Sequence, residues 1–172
     1  DPKNINYGDD KGEVVGNLIG YISDGYWGNK MNDTKDGYDW IGALANEKPQ
    51  AQNASAVTGL ATKYKFEVKI GSQLKYNTLS TKFAKYAGQE VAIEDYLTPY
   101  KLLHTKANGW ARGAENLTTA SAIKGMNAYY NASGEGFNAV AWEGVGVKAY
   151  EENGKGYMEI EFNQPCSAFY AM

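Results

Sequence analysis

The chain has 172 residues, of which 43% are hydrophobic and 22% are charged, a composition that excludes disordered and collagen-like chains. Seventeen Lys and Arg against twenty Asp and Glu leave a net charge of −3, and no basic stripe marks a nucleic-acid interface. No stretch approaches the roughly 18 consecutive apolar residues that a membrane-spanning helix requires. The length predicts one domain, or one domain plus a fragment, and the charge leads us to expect no nucleic-acid partner.

Three residue types that often carry chemistry occur once each: Cys166, His104 and Arg112. A single cysteine and a single histidine exclude a disulfide framework and a Cys/His zinc set, so we predict no metal and no cofactor. We expect Cys166 to be a small buried hydrophobic residue and His104 to be a packed or half-exposed helix residue. Arg112 is the one candidate for a bidentate grip on an anion, but a surface position near a helix start is the favoured interpretation.

The first half of the chain predicts one helix and two strands. Apolar residues recur at helical spacing over 14–22, and a polar loop follows over 26–37. Residues 38–44 predict a short strand or an extended arm. Apolar and charged residues alternate over 62–70, with Tyr64, Phe66 and Val68 on one face, which is typical of a half-buried antiparallel strand.

The second half predicts helices and then a hairpin. We predict a loop over 71–90 with a helical patch at 82–86, and helices over 91–106, 114–130 and 137–142, the first kinked or broken at Pro99. Asn153-Gly154 separates two alternating runs, as in a β-hairpin. The fold class predicted is therefore α+β, an antiparallel sheet with two or three helices.

Three segments, taken in chain order, follow one pattern. The first runs from Asp1-Pro2 through the predicted helix to Asp24-Gly25. The second joins the strand at 64–76 to residues 88–96, and the third joins 144–150 to 157–165 and Phe169-Tyr170. With these segments the chain resembles the extracellular solute-binding proteins of peptide and nickel ABC importers, the oligopeptide-binding family. It departs from the family pattern at Tyr76, where Trp is usual, at the insertion 77–87, and at Ala92-Ile93.

The resemblance implies a domain organisation and a function. Residues 1–28 would begin the large ligand-binding lobe, and residues 29–172 would form a small α+β subdomain of a periplasmic-binding-protein-like lobe, truncated at its C-terminal end. The rest of its own chain, including a second lobe, would then be missing. The implied function is non-enzymatic: the protein captures oligopeptides and delivers them to the permease subunits of the transporter. Its expected location is the periplasm or, with a lipid anchor, the extracellular face of the cytoplasmic membrane.

The resemblance also implies a ligand-binding segment, Tyr7, Gly8, Asp9 and Asp10. In the family, extended backbone just before the first helix lies along the bound peptide. Main-chain hydrogen bonds recognise a peptide whatever its side chains are. Asp9 or Asp10 could also pair with a peptide amino terminus, and the alternative interpretation of all four residues is a polar loop without a ligand.

Two other functions remain open from the residues. Fourteen Tyr and four Trp could form a sugar-stacking surface of a secreted carbohydrate-binding or adhesion domain, provided that Trp27, Trp40 or Trp110 is exposed. The alternative is that these rings pack in the core. A hydrolase that uses paired carboxylates is the weakest hypothesis, because no motif singles out a pair.

Overall fold

The computed structural model describes residues 25–77 and 81–171. The strands of these residues are β1 (Trp27–Met31), β2 (Tyr38–Gly42), β3 (Gln50–Ala51), β4 (Ala61–Val68), β5 (Gly71–Lys75), β6 (Glu90–Val91), β7 (Val147–Glu152) and β8 (Lys155–Cys166). The α-helices are α1 (Thr98–His104), α2 (Met126–Ala132) and α3 (Ala139–Trp142). Short 3-10 helices cover Thr81–Tyr86, Ile93–Leu97, Lys106–Asn108, Ala111–Ala114 and Ala168–Ala171. The predicted helix at 14–22 lies outside the described residues.

The central element is a four-stranded antiparallel sheet in the order β3-β4-β8-β7. Strand β4 confirms the predicted strand, and its Tyr64, Phe66 and Val68 are buried. Alternation along β8 buries the side chains opposite them, so one face of the sheet forms the floor of the core. Together with the helices packed on that face, this confirms the α+β class.

The hairpin of β7 and β8 turns at the two residues that the sequence indicates. Asn153 has φ 53° and Gly154 has φ 76°. Both central residues of a type I′ turn need positive φ, and Asn-Gly satisfies this requirement with little strain. The predicted hairpin is therefore confirmed, and β8 continues past it to Cys166.

The outer face of the sheet carries paired charges. Lys63 Nζ lies 2.7 Å from Glu159 Oε1, Lys155 Nζ lies 2.6 Å from Glu67 Oε2, and Lys124 Nζ lies 2.7 Å from Glu161 Oε1. These pairs sit at the solvent, where each contributes little to stability. The two clefts described below lie on the other face of the sheet.

The predicted helix over 91–106 is wrong as a single element. Strand β6 ends at Val91, a 3-10 helix follows, and α1 begins only at Thr98. Pro99 thus lies in the first turn of α1, where its missing N–H costs no hydrogen bond. The break that the sequence predicts at this proline is therefore present, and the short helix before it begins where Asp95 Oδ2 accepts a hydrogen bond from the Ala92 N–H at 2.9 Å.

The predicted helix over 114–130 is also wrong for most of its length. Only its last turn is helical, because α2 begins at Met126. Ile123 instead forms an antiparallel bridge to Phe162, and Gly125 adopts φ 72°. Extended pairing with the sheet therefore prevails over local helix propensity, and the helical turn predicted at 137–142 is present as α3.

Two stretches that the sequence predicts as loops, one before β4 and one after it, contain strands. The predicted loop over 26–37 contains β1, which pairs antiparallel with β2. The predicted loop over 71–90 contains β5, and its helical patch is present as a 3-10 helix. The boundary that the resemblance implies between residues 28 and 29 falls inside β1; the division itself remains a prediction. None of the helices among the described residues has the length and apolarity to cross a membrane.

Candidate functional site

Two clefts lie on the helical side of the sheet and share a wall made by Tyr26 and Tyr100. Tyr26 immediately precedes β1, and Tyr100 lies in the middle of α1. The Tyr26 ring meets Phe66 of β4 edge-on at 5.1 Å. The shared wall therefore rests on the core of the sheet.

The first cleft, here the mixed cleft, has a volume of about 430 Å³. Its floor is apolar and includes Ile160 and Phe162 of β8. Its polar lining includes His104, Arg112 and Glu115, and Arg112 Nη1 lies 3.8 Å from Glu115 Oε2. The chain's one arginine therefore lines a cleft with a side chain that is 23% exposed, and it lies in a short 3-10 helix and not before the predicted helix over 114–130.

His104 closes one side of the mixed cleft. Its Nδ1 lies 3.0 Å from the Gly113 carbonyl oxygen. Burial lowers the pKa of the imidazole below its usual value, so the ring is neutral at pH 7. A neutral imidazole that donates from Nδ1 to this carbonyl joins the end of α1 to the next turn, which confirms a packed helix residue.

The second cleft, here the tyrosine cleft, has a volume of about 390 Å³. Apolar groups dominate its walls, and Asp95 is the charged residue among the described residues that line it. Four of its lining residues are tyrosines, and the complete described lining is Gly25, Tyr26, Leu44, Leu74, Tyr76, Val91, Asp95, Tyr96, Pro99 and Tyr100.

The tyrosine hydroxyls of this cleft have partners within the protein. The Tyr96 hydroxyl donates to the Lys69 carbonyl oxygen at 2.6 Å, the Tyr76 hydroxyl interacts with the Asp95 carboxylate, and Tyr26 interacts with Tyr100. Burial raises the pKa of Tyr96 to about 12 and raises the pKa of Tyr26 much further above its usual value. All four side chains therefore stay neutral at physiological pH.

Nucleophile and metal chemistry find little support in the described residues. Cys166 is buried, and burial raises the pKa of its thiol, so the thiol stays protonated at neutral pH. The predicted small buried residue is therefore confirmed. Within residues 25–77 and 81–171, no three His, Cys, Asp or Glu side chains are grouped as metal ligands.

Comparisons with known proteins leave the family open. Searches against models of protein families, curated proteins and solved structures found no match to this chain.

The predicted ligand-binding residues Tyr7, Gly8, Asp9 and Asp10 lie outside the described residues, so their role remains a prediction. The sequence reasoning missed the tyrosine cleft. In the predicted helix over 91–106, the helical spacing of Tyr96 and Tyr100 indicates only an apolar stripe. The signal was present in their spacing of four residues, but Tyr26 and Tyr76 come from distant parts of the chain.

The tryptophans proposed for sugar binding are not equivalent. Trp27 is only 9% exposed, and its ring packs 4.8 Å from Phe66. Trp110 is half-buried, whereas Trp40 is 38% exposed on β2. Trp27 therefore does not meet the condition of exposure for a sugar-stacking ring, because it packs in the core.

Proposed function

We propose that this chain is part of the solute-binding component of an ABC importer, which captures extracellular oligopeptides and delivers them to the permease subunits. The observation that carries the proposal is the adjacency of the two resembling segments that the structure describes. Strand β4, from the earlier segment, pairs with β8, from the later one, between Tyr64↔Ile160 and Glu67↔Tyr157. Two sequence segments on which the resemblance rests therefore also pack against each other.

The two halves of the earlier segment also meet in space, although an insertion separates them in the sequence. Tyr96 comes from the half after the insertion and Lys69 from the half before it, and they share a hydrogen bond of 2.6 Å. An insertion at 77–87 is therefore compatible with the packing that the resemblance implies. The contact supports the treatment of residues 64–76 and 88–96 as one segment, although the insertion between them departs from the family pattern.

The clefts support a binding role. They are concave and largely apolar with a few polar groups, as small-molecule sites usually are. Within the proposal, binding needs no cofactor, and the remainder of the chain supplies the second lobe. The protein would act in the periplasm or, with a lipid anchor, outside the cytoplasmic membrane.

The first experiment reads the gene beyond the codon for Met172. The proposal expects a second lobe of a few hundred residues in the same reading frame. A stop codon directly after Met172 would contradict it.

The second experiment titrates the full-length product with unblocked and acetylated tri- to penta-alanine in a calorimeter. We expect saturable binding that the chain of residues 1–172 shows weakly or not at all, since the second lobe is absent from it. If the Asp9 and Asp10 carboxylates bind the peptide amino terminus, the double variant Asp9→Asn, Asp10→Asn should lower the affinity for unblocked peptides more than the affinity for acetylated ones. Equal peptide affinity of both chain lengths would contradict the proposed truncation.

One observation favours carbohydrate binding as the second candidate. Tyr38 and Trp40 lie two residues apart on β2 and therefore on the same face of its hairpin with β1, and they are 67% and 38% exposed. Such rings can stack on sugar faces. A glycan array should then detect binding that Tyr38→Ala and Trp40→Ala abolish and that Phe169→Ala, a substitution of another exposed ring, leaves intact. Silence across the array rejects this candidate.

A further inference from the structure

The tyrosine cleft combines electron-rich rings with a single negative charge. Tyr26, Tyr76, Tyr96 and Tyr100 line it, and Asp95 is the charged residue among its described lining. Aromatic faces attract cations through the quadrupole of the ring. A carboxylate next to such rings also attracts a cation, through the Coulomb interaction. The charge and chemistry of the lining are thus complementary to a cation.

Other aromatic rings of this protein already have a cation from the chain itself. Lys65 Nζ lies 4.0 Å from the ring centre of Tyr157 and 5.2 Å from that of Tyr150. Lys101 Nζ lies 5.5 Å from the ring centre of Trp142. Among the described residues, no lysine or arginine is placed in this way over the four cleft tyrosines. The cleft differs in this respect from the paired rings of Tyr150 and Tyr157 and from Trp142.

The apolar walls of the cleft favour a cation that has few N–H groups, because a buried N–H group without an acceptor is costly. The Tyr96 hydroxyl donates its hydrogen to the Lys69 carbonyl, and Tyr26 and Tyr100 interact with each other. Asp95 already interacts with the Ala92 N–H and with Tyr76. A primary ammonium carries three donors that need acceptors, whereas a methylated ammonium binds through its charge and its apolar methyl groups.

We propose that the tyrosine cleft binds a small methylated ammonium compound of the choline type. The rings of Tyr76, Tyr96 and their neighbours contact the methyl groups, and Asp95 supplies the opposite charge. The cleft has about 390 Å³, several times the roughly 30 Å³ that one water molecule occupies in the liquid, so such a cation fits. This proposal does not depend on the proposed oligopeptide function, so either one can be contradicted while the other holds.

The test titrates the chain of 172 residues with choline and with tetramethylammonium by calorimetry. The control ligand is 3,3-dimethylbutan-1-ol, which has the shape of choline but carries no charge. We expect saturable binding of both cations and an affinity for the neutral compound that is weaker by roughly tenfold or more. Ethanolamine, a primary ammonium, should also bind more weakly than choline.

Two variants probe the cleft, and one remote variant serves as the control. Tyr76→Leu removes a half-exposed ring, and Asp95→Asn removes the charge but keeps an oxygen for the Ala92 N–H. Each should weaken choline binding by roughly three- to thirtyfold. Tyr150→Leu removes a tyrosine from the outer face of the sheet and should leave the affinity unchanged. Circular dichroism and the thermal midpoint establish that each variant is folded.

Several results would overturn the proposal. These are the absence of saturable heat with both cations, equal affinity for choline and its neutral analogue, and tighter binding of ethanolamine than of choline. An effect of Tyr150→Leu as large as that of Tyr76→Leu would likewise show that binding does not take place in the tyrosine cleft. If Tyr76→Leu fails to fold, Asp95→Asn and the neutral analogue still decide the question. The peptide titration of the full-length protein stands apart from all of these results.

Discussion

The hydroxyl oxygens of Thr105 and Tyr129 lie 2.6 Å apart in the interior. Thr105 Oγ1 also donates to the Lys101 carbonyl oxygen at 2.6 Å. A threonine hydroxyl has one hydrogen, so Tyr129 is the donor in the bond between the two side chains. This chain of hydrogen bonds fastens the end of α1 to the middle of α2.

Because Tyr129 donates and Thr105 accepts, removal of one hydroxyl should lower the free energy of unfolding more than removal of the other. Tyr129→Phe leaves Thr105 bonded to Lys101, so the free energy of unfolding should fall by about 1 kcal/mol. Thr105→Val leaves the buried Tyr129 hydroxyl without this acceptor and should cost about 1–3 kcal/mol. Urea denaturation of both single variants and the double variant measures these effects, and the double variant should cost less than the sum. A larger loss for Tyr129→Phe than for Thr105→Val contradicts the assigned donor.

Gly125 and Gly154 have similar positive φ, but their replacement by alanine should lower the free energy of unfolding by different amounts. Gly125 has φ 72°, and a Cβ there would collide with the Gly144 carbonyl oxygen, so Gly125→Ala should cost about 3 kcal/mol. Gly154 has φ 76° but open space around it, so its replacement should cost about 1–2 kcal/mol.

The control for this pair is Gly134→Ala, at a position with open space and no positive φ. This change should be neutral or stabilise the protein by up to about 1 kcal/mol. Thermal or urea unfolding ranks the three variants. If Gly125→Ala and Gly154→Ala cost the same, the collision at Gly144 does not contribute.

The buried tyrosines predict a loss of stability at high pH. Burial raises the pKa of Tyr96 from 10.0 to about 12, so the unfolded chain releases this proton at a lower pH than the folded one. Stability is therefore fully present below pH 10, and the free energy of unfolding falls between pH 10 and 12. Urea denaturation across this range, with tyrosinate absorbance as a second probe, measures the effect. Tyr96→Phe should make the fall shallower, and an equally steep fall in this variant would assign the effect to other groups.

The thiol of Cys166 should resist modification in the folded protein. The residue is 7% exposed, and burial raises the pKa of the thiol. Ellman's reagent at pH 8 should react slowly in buffer and at the rate of a free thiol in denaturing urea. The matched control is Ser167→Cys in a Cys166→Ala background, which moves the thiol to an exposed neighbour. Equal rates for the two folded proteins would be incompatible with a buried Cys166.

The sequence by itself determined the elements whose pattern repeats with a short period. Alternation in β4 and the Asn153-Gly154 turn of the β7–β8 hairpin follow from local rules, because each residue's face depends only on its neighbours along the strand. These local rules also give the α+β class and the buried, inert character of Cys166.

Only the tertiary structure decided the extent of the helices and the position of the clefts. The stretch before Met126 has a helical pattern, but Ile123 pairs with Phe162, and a bridge between residues far apart in the chain cannot be read from local propensity. The tyrosine cleft likewise gathers Tyr26, Tyr76 and Tyr96 from three separate stretches. Their side chains line one cleft because the 3-10 helix that carries Tyr96 packs on β7 and β8, and Tyr26 packs on Phe66 of β4.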